Sequence, residues 1–348
     1  MRKWSLAMAA TLLLLSACSD KESSKEPAKP VKKAAAAEKV EHAIPELPFS
    51  YPLTGIGSQT EAENRAFAVV VNNFPKARPQ SGLNEADIVY ELLAEGDVTR
   101  FLAVYQSEKP KTIGPVRSAR DYYIEISKGL DSIFIAHGYS VEAKRMLNSG
   151  YIDNLNGMVY DGTLFKRASF RKAPHNSYIP YENMIKGAEK NGFKLAPAPK
   201  PFKFLTEKEV GHIEGRIALS AFVSYGTKTY SPTYQYDPSI GKYKRYINGE
   251  LMVDLETNQP ILLDNVFIAE LVHTPAGPGG LRDIDLKSGG KGYLFQKGKV
   301  IEVDWLNDHG RIIPIKDGNE AGLVPGKTWV NIIPANPGLA KSVAIGES

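Results

Sequence analysis

"AFAVVVNN", residues 66–73, is the run on which the fold turns. Six apolar residues, three of them valine, end abruptly at Asn72-Asn73. That pattern predicts a compact buried strand. Just beyond it, "KARPQSGLNEA" (76–86) is loop-like. "DIVYELLAEG" and "TRFLAVYQ" then read as two strands joined by a short turn at Glu95-Gly96-Asp97.

Helical signals follow. Residues 117–129 predict a helix and "DSIFIAHG" (131–138) a strand. "SVEAKRML" (140–147) predicts a helix capped by Ser140, with Glu142 in its first turn. "YENMIKGAEKNG" (181–192) predicts another, with Gly192 just past its end. Strands alternating with helices indicate an α/β (α+β) N-terminal part. After the Pro-rich connector "LAPAPKPFKF" (195–204) the pattern changes. Short strands between Gly, Asn and Pro turns predict a mostly antiparallel β C-terminal part. The expected organisation is an α/β domain over 48–195 and a β-rich domain over 196–340, with the possibility that both share one sheet.

The chain opens with "MRKWSLAMAATLLLLSAC". Arg2 and Lys3 precede an apolar stretch too short to span a bilayer. Leu15-Ser16-Ala17-Cys18 then looks like a lipoprotein cleavage box, which makes residues 1–17 a signal peptide and Cys18 the lipid anchor. Two or three acyl chains hold a protein on a membrane where one would not. The expected place is the outer face of the cytoplasmic membrane. Cys18 is the single cysteine, so no internal disulfide is available. Residues 18–47, rich in Lys, Glu, Pro, Ser and Ala, are expected to be a disordered tether.

The formal charge is +4, nearly neutral once Arg2 and Lys3 are removed, and no basic stripe occurs. Nucleic acid is therefore not an expected partner. There is no H-E-x-x-H, no P-loop and no histidine spacing of a zinc site, so neither a metal nor a cofactor is implied. "SGGKGYLFQKGK" (288–299) reads as hairpin turns. The tyrosines of 224–246 fit cross-strand packing or stacking on sugar faces.

Long stretches of the chain, "VVVNNFPKARPQSGLNEADIVYELLAEGDVTRFLAVY", "IGPVRSARDYY", "HGYS" and "APHNSYIPYE", closely resemble the YerB-type lipoproteins of Gram-positive bacteria. "YKRYINGELMVD", "GGKGYLFQKGKVIEVDW" and "GLVPGKTWVNIIP" fit the C-terminal part of that family. The resemblance covers about 50–335. It implies an envelope location and a two-part fold, and it supplies no reaction or catalytic residue.

Two arginines placed before a helix raise the chemical question. In "TIGPVRSARDYY" (112–123), Arg117 and Arg120 flank Ser118 where the macrodipole disfavours cations. Guanidinium groups belong there if an anion docks, since arginine binds carboxylate or phosphate with two hydrogen bonds. Lys76 and Arg78 on the preceding loop, and Arg100 on the second hairpin strand, could join them. The expected ligand-binding set is Arg78, Arg100, Arg117, Ser118, Arg120 and Asn176. Its ligand would be an anionic or saccharide envelope polymer, or an envelope protein. The competing explanation is internal pairing with Asp87, Glu91, Glu95 or Asp121.

A second possibility is an envelope hydrolase or transferase. His137 ends a predicted strand, where ligand groups gather in α/β sheets, and His175 lies on a loop. Either could act as general base with Glu91, Glu95 or Glu142. Paired carboxylates of a glycosidase are the weaker variant, because their separation cannot be read from sequence.

Overall fold

In the computed structural model, residues 47–347 are described. Cys18, the signal peptide and all but the last residue of the expected tether lie outside them. The principal elements are β1 (Phe67–Asn72), β2 (Ile88–Glu95), β3 (Val98–Tyr105), α1 (Asp121–Gly129), β4 (Ile133–Ala136), α2 (Val141–Asn148), β5 (Asn154–Asn156), β6 (Ser177–Pro180) and α3 (Tyr181–Lys190). They continue with β7 (Ser220–Val223), β8 (Pro232–Asp237), β9 (Lys242–Ile247), β10 (Asn265–Leu271), β11 (Gly290–Gln296), β12 (Lys299–Asp308), β13 (Arg311–Lys316), β14 (Thr328–Pro334) and β15 (Val343–Gly346).

β1 is buried at every residue because both faces of its sheet are covered. Val69 and Val71 point to one face, toward α3 and the second sheet; Ala68 and Val70 point to the other, toward α1 and α2. The period of two in a strand thus splits an unbroken apolar run between two cores. The sheet has twelve strands, and its main path runs β13-β12-β11-β10-β14-β2-β3-β1-β4-β5. β1, β4 and β5 are mutually parallel, and β1 is antiparallel to β3. The C-terminal strand β14 lies parallel between β10 and β2, with Asn331 opposite Glu91. Strands from both parts of the chain therefore share one sheet. A second sheet of β9, β8, β7 and β15 packs on it.

The fold class is as the sequence indicates: α+β at the start, β-rich at the end. α2 begins at Ser140, whose hydroxyl accepts from the Ala143 N–H at 3.2 Å. Gly192, one residue past the Asn191 cap of α3, takes φ +69. Lys297-Gly298 turns β11 into β12 with both residues at positive φ, as a tight hairpin requires. Tyr225, Tyr234 and Tyr243 are buried, so these tyrosines serve packing.

The helix expected over 117–129 starts only at Asp121. Residues 115–119 are extended instead. Pro115 O accepts from the Asn72 N–H, Arg117 N–H donates to Val70 O, and Ala119 N–H donates to Gly138 O. This segment is stitched to the ends of β1 and β4, and the carbonyls of Pro115, Arg117 and Ala119, already accepting from Asn72, His137 and Ser140, are not free to take the N–H groups of a first helical turn. Arg120 becomes the cap residue, and Asp121 brings the favourable charge to the first turn.

Candidate functional site

A cleft of about 260 Å³ opens where β1 ends, lined by Asn72, Phe74, Glu95, Val98, Arg100, Arg117, Pro174 and His175. It lies beyond the C-terminal ends of the parallel strands β1 and β4, where ligands gather in α/β sheets. A roomier depression, about 900 Å³, lies elsewhere, against Lys109–Thr112 and α3, and holds none of the expected site residues.

Glu95 organises the arginines. The register of β2 and β3 shifts between Leu93 and Glu95, a bulge. Arg100 lies opposite Leu92 and reaches Glu95 past that shift. Its Nη2 donates to Glu95 Oε1 at 2.5 Å, and its Nη1 donates to Ser118 O at 2.8 Å. Arg120 Nη2 donates to Glu95 Oε2 at 2.7 Å. For these two arginines the internal-pairing explanation holds. Both carboxylate oxygens are engaged, and Arg117 is left over. Half-buried in the same cleft, its guanidinium makes no hydrogen bond and no ion pair among the described residues. Burial, then the Arg100 charge, pull Arg117 below its ordinary pKa, though an arginine stays charged at pH 7.

His175 stands beside it, stacked on Phe74 with ring centroids 4.9 Å apart. Its tautomer follows from Asn72. Asn72 Oδ1 accepts from the Phe74 N–H at 2.9 Å, so Nδ2 faces His175 Nδ1, also at 2.9 Å, as a donor. Nδ1 is thus the acceptor and the proton sits on Nε2. Burial and the charges of Arg117, Lys76 and Arg171 hold the ring below its usual pKa, hence neutral at pH 7. The cleft therefore offers a guanidinium and an imidazole N–H: donors to an anion.

The remaining expected residues have other occupations. Arg78 donates to Asn73 O, Asn73 Oδ1 and Thr229 O and lies over Tyr230, away from Arg117's cleft. Ser118 Oγ donates to His137 O at 3.3 Å. Asn176 Oδ1 accepts from Arg167 Nη1 at 3.1 Å. Asp87 is buried, accepting from the N–H groups of Gln106 and Ser107.

The four catalytic candidates are not brought together. Arg167 Nη2 donates to His137 Nε2 at 3.0 Å, which puts the ring proton on Nδ1, 2.7 Å from Ser177 Oγ. Both nitrogens are occupied, and burial with the Arg167 charge lowers the pKa. His137 thus holds loops together rather than facing a carboxylate. Glu142 is exposed and pairs with Arg145 at 2.5 Å. His175 is hydrogen-bonded to the Asn72 amide; Glu95, the one expected carboxylate that lines the same cleft, is held by Arg100 and Arg120.

Glu91 is fully buried, 154 residues in sequence from its partner Arg245. Arg245 Nη2 donates to Oε2 at 2.8 Å, Trp329 Nε1 to Oε2 at 3.1 Å, and Thr99 Oγ1 to Oε1 at 2.9 Å. The Arg245 guanidinium lies 4.5 Å from the Trp329 ring centroid and 5.3 Å from that of Phe101. This is a dry clasp between the two parts of the chain, closed to substrate. Its pairing left no trace in sequence spacing. Asn72 could have been found, since a polar residue ending a buried parallel strand sits where ligands gather.

Among the described residues no three His, Cys, Asp or Glu side chains gather as metal ligands. None of their helices is long and apolar enough to cross a membrane.

Fold and cleft define an α+β protein with one sheet common to both parts of the chain and a small cationic cleft at its strand ends. The chain belongs to the family described as "Protein of unknown function (DUF3048)": the N-terminal domain matches residues 53–194 and the C-terminal domain 221–330. A relative from Bacillus subtilis (strain 168), named "Putative lipoprotein YerB", is 46% identical over 339 residues, 96% of each chain. The crystal structure of YerB protein from Bacillus subtilis superposes with a TM-score of 0.78 at 48% identity, covering 85% of this chain and 99% of that one. The family resemblance drawn from the sequence is borne out.

Proposed function

We propose that this is a lipid-anchored binding protein of the cell envelope, whose folded part grips an anionic envelope component at Arg117. The observation that carries the reading is a charge imbalance. Three arginines line or border one cleft, a single carboxylate serves two of them, and the third has no partner among the described residues. A partly exposed guanidinium left to water beside another cation is placed to take an anion with two hydrogen bonds. The anchor rests on Leu15-Ser16-Ala17-Cys18 and on the relative's name as a lipoprotein. It would hold the protein at the outer face of the cytoplasmic membrane through acyl chains on Cys18.

Calorimetry of the full chain with purified cell-wall fragments and teichoic polymers, at two salt concentrations and with product masses checked, tests the binding role. Salt-sensitive binding without a mass change, lost in Arg117→Ala, is the expected result. A mass change would make the protein an enzyme, and unaltered binding by Arg117→Ala would move the site. Cys18→Ala is expected to release the protein from membranes.

A further inference from the structure

We propose that the cleft at Arg117 takes a zwitterion the size of an amino acid or dipeptide, its carboxylate on Arg117 and His175 and its ammonium on Glu95; this rests on the anion-grip reading above. The donors at one side are the Arg117 guanidinium and the His175 Nε2–H, whose tautomer Asn72 fixes. At the other side stands Glu95, its side chain 30% exposed. An ionised carboxylate has about four lone-pair sites. Arg100 and Arg120 occupy one on each oxygen, which fixes the group's orientation and leaves acceptor capacity on both.

Glu95 lines the same cleft as Arg117 without forming an ion pair with it. The two opposite charges are held apart, and the gap between them is where a molecule carrying both complementary charges fits. Phe74, Val98 and Pro174 supply an apolar wall for its carbon skeleton.

Size and charge narrow the class further. At about 260 Å³ the cleft is smaller than the roughly 300–1,000 Å³ typical of sites for drug-sized ligands. One or two residues fill it, so of a longer envelope polymer only an end or a single unit would enter. An inorganic phosphate would satisfy Arg117 but would leave the Glu95 lone pairs and the apolar wall unused.

The test compares three probes on the full chain in detergent by calorimetry: alanylalanine, N-acetyl-alanylalanine and inorganic phosphate. A charge-assisted hydrogen bond predicts that alanylalanine binds at least about tenfold tighter than its acetylated form. Glu95→Gln should narrow that gap, and phosphate should bind no tighter than the acetylated peptide. Equal binding of the two peptides, both lost in Arg117→Ala, would remove the ammonium subsite while the anion grip stands. Binding of phosphate alone would do the same. No binding of any probe would overturn the zwitterion site, while the anion grip would stand or fall on the titration with cell-wall fragments and teichoic polymers. The comparison of ligands on the unaltered protein decides the matter even if Glu95→Gln fails to fold.

Discussion

Two arginine–carboxylate clusters stand on the same hairpin, four residues apart at Glu91 and Glu95, and they behave oppositely. At Glu91 the charges are matched one to one, a guanidinium on a carboxylate that also accepts from an indole N–H and a hydroxyl, all dry, with aromatic rings over the cation; the Arg245 Nε has no partner among the described residues. At Glu95 one carboxylate meets two arginines, and a third stands unpaired at the mouth of a cleft. Residue types are the same. What differs is the charge count and the access of water, and those decide which cluster holds the fold and which can hold a ligand. A second hairpin, His273–Pro275 with Arg282–Ile284, packs against the Glu95 end. Arg282 Nη2 donates to Gly96 O at 3.0 Å, and the Gly96 N–H donates to Gly280 O at 3.0 Å, beside Glu95.

The sharpest way to break the contrast is to unpair the closed cluster. Arg245→Met should cost about 3–5 kcal/mol in urea unfolding, because it strands a buried carboxylate. Adding Glu91→Leu should recover much of that loss, since a well-packed apolar pair often replaces a buried ion pair without penalty. Failure of the double variant to recover would show that the clasp contributes more than charge matching.

Acid is the next lever. His273 donates Nδ1–H to Leu271 O at 2.8 Å, while its Nε2 is buried without a partner, and burial pushes its pKa down to about 4. A folded-state pKa below the unfolded value near 6.5 means that the unfolded chain binds the extra proton first. Stability is thus intact above pH 6.5 and falls as pH drops toward 4, on the order of 3 kcal/mol from this group. Denaturant midpoints measured across that window should flatten in His273→Gln.

Glu95→Ala should cost less, about 1–3 kcal/mol: buried Arg100 and mostly buried Arg120 lose their acceptor, but Arg100 keeps Ser118 O, Arg120 keeps Ala119 O, and water can enter where the 30% exposed Glu95 side chain stood. Arg117→Ala should leave the unfolding midpoint within about 0.5 kcal/mol of the parent while abolishing anion binding. A stability loss as large as that of Glu95→Ala would turn Arg117 into one more structural arginine. Anion binding should also tighten as pH falls through the pKa of His175. The bound anion favours the imidazolium, so its pKa rises on binding and a proton is taken up. A pH-independent affinity would remove His175 from the site.

Much of the architecture was legible in the sequence, because local signals and burial coincided. "AFAVVVNN" reads as a buried strand, Ser140 as a cap, and Gly192 as a stop, each for reasons that span a few residues. The helix start was not legible: Arg117 looks helical until the backbone bonds to Val70 and Gly138 draw residues 115–119 into extended form. Arg117 and His175 were read as candidates, but their adjacency was not, nor was the separation of His137 from Glu91, Glu95 and Glu142.

The sequence by itself determined the elements, the split of one apolar run between two faces, the family and the pool of charged side chains. Tertiary structure alone decided which charges met. Pairing depends on strand order, on the parallel entry of β14 beside β2, and on a bulge at Leu93–Glu95. Those arise from contacts between residues far apart in the chain, where spacing along the sequence carries no distance information.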